Sequence, residues 1–546
     1  MPLIGRFRPG EYLVANLSDM IEDHIPEILG SLPRRTSDVV TPWVERSPNR
    51  PALIEPSGTW TYKQLSLASA SARAWLLDSG VRPGDRVMIV CENCRAFIAI
   101  LLALAELDAW PVLANARLSA REIDQVREHC GARRVIYTTS ISHHAREHAK
   151  RHGASILDVA EIGRIGEGPL NETVETEPVD TKGPDAVAAL IYTSGTTGQP
   201  KGVMLTHRGV LFVAAISAQI RSLTPEDNLL GVLPMSHAVG LSVVLLGTLL
   251  SGATLHLSPR FDPVAVLSAL EKDQLTIILG APAMFGLFVE YAKLKGLRSM
   301  KFRSLRIIAS AGAPLQAAIK SETEALFGLP LHNGYGVTEC SPTIAQTRVE
   351  SPRTDLSIGR VFPGVEVKLI GPDGQPVPDG GVGELCARGP NVMKGYYRAP
   401  METRAAIDAE GWYNTHDLAR FENGNLFIVG RSKELIVRFG FNVYPAEVEA
   451  AFTTHTSVLR CAVIGRPAES EGGEEVIAFI QLAKDSKLTA DELANHAAQQ
   501  LAPYKRPSQI FFVDTMPVTP TGKIVKDELA KMAAPARIDE NKPSRE

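Results

Sequence analysis

The chain has 546 residues, 45% of them hydrophobic and 22% charged, with a formal net charge of −4. That length exceeds what one hydrophobic core holds, so at least two domains are expected. The charge balance leaves no basic footprint for nucleic acid, and six cysteines in so long a chain fit a reducing cytoplasm, not a disulfide scaffold.

In chain order, the first 35 residues have mixed periodicity and are expected to be a lead-in segment with no secretory signal, since no continuous apolar stretch precedes a small-residue cleavage site. From Thr36 to about Ala120 helical and strand signals alternate. A helix opening in Trp60–Lys63 runs through Leu77, Asp85–Val90 is a strand, Ala96–Leu107 an apolar helix and Val112–Ala114 a strand. This βαβ rhythm predicts an α/β fold with a largely parallel sheet and helices packed on it. Cys91 and Cys94 form a lone Cys-x-x-Cys without a second pair at zinc spacing, and are read as small buried residues. His144, His148 and His152 share one helical face, which could hold a metal. The charged neighbours Arg146, Glu147, Lys150 and Arg151 favour a solvated face instead.

Residues 161–182 are polar and lead into Tyr192–His207, YTSGTTGQPKGVMLTH, the most informative stretch. The apolar run Ala186–Tyr192 predicts a buried strand. Thr193, Ser194, Thr196 and Thr197 then offer hydroxyls, Gly195, Gly198 and Gly202 allow the backbone to bend, and Lys201 adds positive charge. These are the parts of a polyphosphate cradle. A P-loop would need Gly-Lys-Ser/Thr running into a helix. Here the β-prone Val203-Met204-Leu205 follows Lys201, so strand–loop–strand is expected.

Beyond it, Leu229–Pro234 predicts a strand with His237 just past its carboxyl end, where α/β sheets place ligand contacts. Ala238–Leu257 runs twenty residues without a charge, nominally enough to span a bilayer. Its glycines and the Ser251-Gly252 stop favour a buried helix and strand. Thr276–Leu279, Leu305–Ser310 and Leu331–Asn333 repeat the strand pattern, and each ends in small residues, including Gly280, Gly312, Ala313 and Gly334. Small strand ends imply a shared crevice for a flat or elongated ligand. In Asn333-Gly334-Tyr335-Gly336-Val337-Thr338-Glu339, Tyr335 offers a ring face to a base, Thr338 a hydroxyl to phosphate and Glu339 hard oxygens to Mg2+. The glycines let a ligand approach the backbone.

Asn423-Gly424 marks a hairpin carrying Asp417, whose paired oxygens suit ribose hydroxyls, and Arg431, which suits phosphate or ribose. After Ser432-Lys433 the pattern becomes a small α+β unit, in which Thr489 and Glu492 form a helix capping box. A Pro-Thr-Gly loop then presents Lys523.

The hydroxyl-rich loop, the GYGVTE string, the hairpin aspartate and the Pro-Thr-Gly-Lys loop, in this order from about Thr36 to Leu529, resemble AMP-forming acyl-CoA synthetases of the adenylate-forming superfamily. The resemblance implies a large N-terminal domain at 36–430, built of βαβ-type sheets plus a small barrel-like or hairpin subdomain. A hinge at 431–433 with Lys433, a smaller mobile α+β domain at 434–530 and a disordered tail at 531–546 complete it. It further implies ATP, Mg2+ and coenzyme A, and a small-molecule carboxylic acid that is adenylated and then passed to a thiol. Thr193, Ser194, Gly195, Thr196, Thr197, Gly198, Lys201, Gly312, Ala313, Asn333, Gly334, Tyr335, Gly336, Thr338, Asp417 and Arg431 would bind nucleotide. Lys523, Thr338, Glu339 and His237 would be catalytic, Glu339 would hold the metal, and Gly440 would line the pantetheine channel. The family's usual Thr-Gly-Asp reads Thr415-His416-Asp417 here, which could crowd that turn.

No carboxylate follows His237 to pair with an amino-acid ammonium, so an apolar acid is expected, a medium- or long-chain fatty acid first and an aryl or cinnamoyl acid second. The small residues Gly280, Ala309, Gly312 and Gly336 would leave room for it. A carrier-protein loader, a luciferase-like oxygenase and a non-catalytic nucleotide binder are the alternatives. A cytoplasmic homodimer without transmembrane segments is the expected setting.

Overall fold

The computed structural model describes residues 21–179, 183, 185–194, 200–438, 441–468, 474–483, 486–519 and 523–533. The chain forms two compact units. The first comprises Met1–Leu315, Ile319–Thr415 and Phe421–Phe427, and the second Gln316–Ala318, His416–Arg420 and Ile428–Glu546.

Among the described residues, the first unit holds two large mixed sheets. One has eight strands, ordered 395–396, 200–206, 187–194, 110–115, 86–91, 134–137, 163–167 and 155–159. Its central four strands are parallel and its outer pairs antiparallel. Arg86–Cys91 and Trp110–Asn115 are buried along their whole length, which is why they read as unbroken apolar runs rather than alternating ones. Helix Arg95–Glu106 buries every residue from Ala96 to Ala105, so its all-round hydrophobicity is that of a core helix. Cys91 and Cys94 are buried free thiols, as expected, and burial pushes the Cys94 thiol up to about 12.

The second sheet has nine strands, ordered 360–361, 343–346, 331–336, 307–310, 277–280, 228–231, 254–257, 51–55 and 58–61. From Leu331–Gly336 to Pro51–Glu55 its strands run parallel. The antiparallel pair Pro51–Glu55 and Gly58–Thr61 has no counterpart in the periodicity reading. It takes Trp60 into a strand, so the helix begins at Tyr62, capped by Thr61 with Gln64. A four-stranded sheet, ordered 366–370, 382–388, 413–422 and 425–431, ends in the expected hairpin, with Asn423 and Gly424 both at positive φ.

The uncharged run resolves into Val239–Leu246, wound as a π-helix, a short α-turn Gly247–Leu250 and the strand Thr254–Leu257. No helix among the described residues is long and apolar enough to cross a membrane. The wide helix start is set by Gly240, where a Cβ would overlap the Pro234 carbonyl.

One expectation is overturned at the histidine helix. Helix His143–Arg151 leaves His144 exposed, as expected, but turns His148 and the C-cap His152 inward. His148 is buried with Nε2 3.1 Å from the Ala116 and Leu118 carbonyls, and His152 meets the Tyr137 hydroxyl and the Asp124 carboxylate. Partners on other elements, invisible in local sequence, satisfy these rings; no metal-binding group of three ligands occurs among the described residues.

The second unit pairs Val458–Pro467 with Glu474–Leu482 antiparallel and Glu474–Leu482 with Gln509–Phe512 parallel. Helices Pro445–Thr453 and Ala490–Ala498 pack on this sheet through Val448, Phe452, Leu493 and Ala497. The Thr489–Glu492 capping box is present.

Two glycines of one apolar stretch should respond oppositely to alanine. Gly240→Ala should destabilise the fold by about 1–3 kcal/mol through overpacking. Gly247→Ala, whose new Cβ would find nothing nearer than 3.6 Å, should be neutral or stabilising by up to about 1 kcal/mol. Urea midpoints compare them, and equal losses would contradict the packing described.

Candidate active site

Two strands flank the hydroxyl-rich stretch. Val187–Ser194 and Pro200–Thr206 pair antiparallel, with Thr193 opposite Lys201 and Tyr192 opposite Gly202. Gly195, Thr196, Thr197 and Gly198 lie outside the described residues, as does the side chain of Ser194. Gly202 does not bend the chain. It sits in the strand, and an added Cβ there would meet the Tyr192 ring at 3.0 Å, so it clears space for that ring, whose hydroxyl lies 2.8 Å from His129 Nδ1.

The outer edge of this hairpin pairs with the short strand Gly395–Tyr396, Tyr396 opposite Val203. Two further backbone bonds, Lys394 N to the Met204 carbonyl and Tyr397 N to the Gly202 carbonyl, fix the register. Lys201 is two residues from Val203, on the same strand face, so Tyr396 is its diagonal neighbour. The Lys201 ammonium lies 5.1 Å from the centre of the Tyr396 ring, within cation–π range. The Tyr396 hydroxyl donates to Glu339 Oε1 at 2.9 Å, and Tyr413 hydrogen-bonds to Tyr396 in turn. Burial first, and the negative charge of Glu339 second, hold both phenols above the ordinary tyrosine value. They therefore stay protonated donors. The structure thus joins Lys201 and Glu339, which the sequence placed in separate clusters, through a tyrosine that sequence reasoning missed.

Glu339 sits in the turn Thr338–Cys340, tied by Met393 N to its carbonyl at 2.7 Å. Before it, the strand expected at Leu331–Asn333 continues through Tyr335 to Gly336. Gly336 is required by the chain itself and not by a ligand: a Cβ there would overlap the Pro342 carbonyl, which accepts from Val337 N at 3.0 Å. Gly334 has only ordinary neighbours, the nearest at 3.7 Å, and opens onto a cavity.

That cavity is lined by Gly312, Asn333, Gly334, Tyr335 and Gly336 of the predicted nucleotide set, and by Ala309, Gly312 and Gly336 of the expected acid pocket. Its other walls include Val239 and Val243 of the π-helix, together with Arg221, His332 and Gln346. Ala313 is not among the lining residues. Gly280 is not either, since Phe285 packs 3.2 Å from where its Cβ would be.

His237 follows a turn held by Asn93, a second residue that sequence reasoning missed between the two cysteines. The Asn93 amide nitrogen donates to the carbonyls of Gly231 and Leu233, and its oxygen accepts from Met235 N at 2.9 Å. One buried side chain therefore pins the segment that leads to the imidazole. Burial first, and the Arg117 charge second, lower the His237 pKa to about 4, so the ring is neutral at physiological pH.

In the second unit Asp417 is buried and ion-paired to Arg431 at 3.0 Å. His416 adopts the left-handed φ of +56° within the strand Tyr413–Glu422, the conformation for which glycine is the usual residue, so a histidine here strains the strand locally while Asp417 stays buried beside it. Lys523 lies within electrostatic reach of Arg431, Glu434 and Asp417. Loss of solvation first and Arg431 second lower its pKa, against the two carboxylates. Lys526, by contrast, is locked by Glu434 and Glu449 at 2.8 and 2.9 Å and serves the structure. Lys433 lies in the turn Ser432–Glu434, and Gly440 lies outside the described residues.

A strand lysine linked through a tyrosine to a carboxylate turn, a cavity at parallel strand ends and, in the second unit, a buried aspartate–arginine pair are the parts that the sequence reading expects of a nucleotide-using enzyme. The model of the AMP-binding enzyme family matches residues 40–397, and that of the AMP-binding enzyme C-terminal domain matches 447–523. The chain is 35% identical over 507 residues to a feruloyl-CoA synthase of Amycolatopsis sp, covering 92% of this chain and 98% of that one. It is 34% identical to 4-coumarate–CoA ligase 3 of Oryza sativa subsp. japonica, covering 89% and 90%. Among solved structures it is similar to ATP-bound MatB from Rhodopseudomonas palustris, with TM-score 0.79, 27% identity and coverage of 91% and 98%. It is likewise similar to the o-succinylbenzoate CoA synthetase of Bacillus subtilis with its acyl-adenylate, with TM-score 0.78, 30% identity and coverage of 90% and 97%. The chain belongs to the AMP-binding enzyme family, within the adenylate-forming superfamily, and is an acid–thiol ligase.

Two outcomes are expected. Tyr396→Phe should lower kcat/KM for ATP about tenfold by losing a hydrogen bond to a charged group. Its unfolding free energy should change by no more than about 1 kcal/mol, and an unchanged kcat/KM would contradict the link. His207, His237 and His332 all have pKa values of about 4 in the fold, against 6.5 ordinarily, through burial first and Arg35, Arg117 and Arg221 respectively. Between these values the unfolded chain binds protons that the folded chain does not. Stability should therefore be full above pH 6.5 and fall towards pH 4, by up to about 1.4 kcal/mol per pH unit for each ring. Urea titrations at pH 7 and 5 should show a smaller fall for His237→Gln than for the parent; an equal fall would contradict it.

Proposed function

We propose that the chain is an ATP-dependent ligase of aryl or cinnamoyl carboxylic acids with coenzyme A. In this reading the acid carboxylate attacks the α-phosphate of ATP, giving acyl-adenylate and pyrophosphate. A thiol then takes the acyl group and AMP leaves. The observation that carries the acid class is similarity to feruloyl-CoA synthase, 35% over 92% of this chain, and to 4-coumarate–CoA ligase 3, 34% over 89%. The fatty-acid expectation gives way to the aryl alternative. A cavity walled by the strand Asn333–Gly336 on one side and by Val239 and Val243 on another supports a flat acid over a long alkyl chain.

The physical demand of the first half-reaction is charge: an anionic nucleophile must meet a polyanion. Lys201, held over the Tyr396 ring, and the hydroxyls of Thr193, Ser194, Thr196, Thr197 and Thr338 are assigned to the phosphates. Glu339 has one oxygen engaged by Tyr396 and is the carboxylate of its turn. A single carboxylate suits Mg2+, which takes most of its remaining ligands from phosphate and water. When bound, the ion would neutralise phosphate charge there. Gly312, Ala313, Asn333, Gly334, Tyr335 and Gly336 are assigned to the adenine side, leaving the part of the cavity walled by Val239, Val243, Arg221, Ser310 and Gln346 to the acid, and Asp417 with Arg431 is assigned to the ribose. His237, as a neutral imidazole, can hydrogen-bond to the acid without adding charge.

Lys523 is assigned to the carboxylate during adenylation. The division into a 36–430 domain and a 434–530 domain, with Lys433 as hinge and Gly440 at the thiol channel, belongs to the same reading. A thiol on a carrier protein is the second acceptor to test, because nothing in the acid site distinguishes it from free coenzyme A.

Lys523→Ala should slow pyrophosphate release from ATP and 4-hydroxycinnamate by about 100-fold or more, while thioester formation from supplied acyl-adenylate is largely kept. Equal loss in both halves would overturn the role. Turnover of octanoate above every cinnamate tested would overturn the acid class.

A further inference from the structure

We propose that the acid bound in the cavity carries a hydrogen-bond-accepting oxygen at the end remote from its reacting carboxylate, and that Arg221, Gln346 and Ser310 form the subsite that takes it. This rests on reading that cavity as the acid site. All three residues line it. Arg221 donates to the Ser217 carbonyl at 3.2 Å and to Gln346 Oε1 at 3.0 Å. A guanidinium has five N–H donors, and no ion pair to Arg221 occurs among the described residues.

Arginine only donates, so Gln346 must turn its oxygen towards it. The amide nitrogen is thereby aimed elsewhere. It is buried without a hydrogen-bond partner among the described residues, and so is Ser310 Oγ. Buried polar groups are nearly always paired. Two orphans and an uncompensated cation around one cavity are therefore a built receptor for an acceptor oxygen. Burial first, and the neighbouring Arg348 charge second, lower the Arg221 pKa only to about 10, so it is charged at neutral pH.

The register places this subsite. Gln346 stands opposite Gly334, and Thr343 opposite Gly336, next to the Thr338–Glu339 turn. Two strand residues span about 7 Å, enough for a ring with a short linker between the reacting carboxylate and the donors. Excess donors favour an acid with an oxygen there over a plain hydrocarbon, because the latter would leave them dry and unpaired.

The test compares kcat/KM for cinnamate, 4-hydroxycinnamate and 4-carboxycinnamate in the wild type, Arg221→Met and Gln346→Leu. The wild type should favour at least one oxygen-bearing acid over cinnamate by about tenfold or more, and whether hydroxyl or carboxyl gains more identifies the source of the oxygen. Arg221→Met should bring that ratio near one, and Gln346→Leu, the milder change, should reduce it. A ratio near one in the wild type, or one unchanged in both variants, would overturn the subsite. If no cinnamate is turned over, the aryl reading fails, and hexanoate against hexanedioate decides the subsite in its place. A tenfold preference for the diacid that Arg221→Met removes would support it, and equal rates would overturn it.

Discussion

The site in the first unit depends on one contact chain, in which Tyr396 carries the Lys201 ammonium on its ring face and gives its hydroxyl to Glu339. A cation and a carboxylate that served one polyphosphate from separate loops would each have to be held apart from the other. A direct salt bridge would quench both. A neutral phenol between them keeps both charges within one site, and burial ensures that the phenol stays neutral.

The backbone makes that contact possible. The strand Pro200–Thr206 offers its outer edge to Gly395–Tyr396, and the strand pairing with two flanking backbone bonds fixes the register that sets Tyr396 beside Lys201. Edge strands are usually a hazard; here the edge is consumed in placing a side chain. The same economy recurs at Asn93, whose amide closes the turn before His237, and at Gly336, where one chain segment fills the space that a side chain would take. Tolerance to substitution at these positions is set by backbone packing before any ligand arrives.

Much of this was legible from local sequence. The β-prone residues after Lys201 foretold a strand in place of a P-loop helix, Asn423-Gly424 foretold the turn of the hairpin at 413–431, and Thr489 with Glu492 foretold a helix start, because each of these is decided within four or so residues. What failed was nonlocal. Tyr396 lies nearly two hundred positions from Lys201, and nothing in its own neighbourhood announces the pairing. The inward histidines at 148 and 152 were misread for the same reason, as their partners Ala116, Leu118, Tyr137 and Asp124 sit on other elements. The glycines around Tyr335 were assigned one role and have two: Gly334 opens a cavity, while Gly336 yields to Pro342. Arg221 gives no signal in sequence, since one arginine at a helix end is ordinary until the described residues around it prove to hold no ion-pair partner.

The central claim is that Lys201 and Glu339 act on one phosphate group through a shared tyrosine. A double-mutant cycle on ATP–pyrophosphate exchange, with Lys201→Gln, Glu339→Gln and the pair at saturating acid, tests it most directly. Residues acting as a unit give losses that do not add. The account predicts a double variant no more than about tenfold worse than the weaker single one; losses that multiply in full would contradict it.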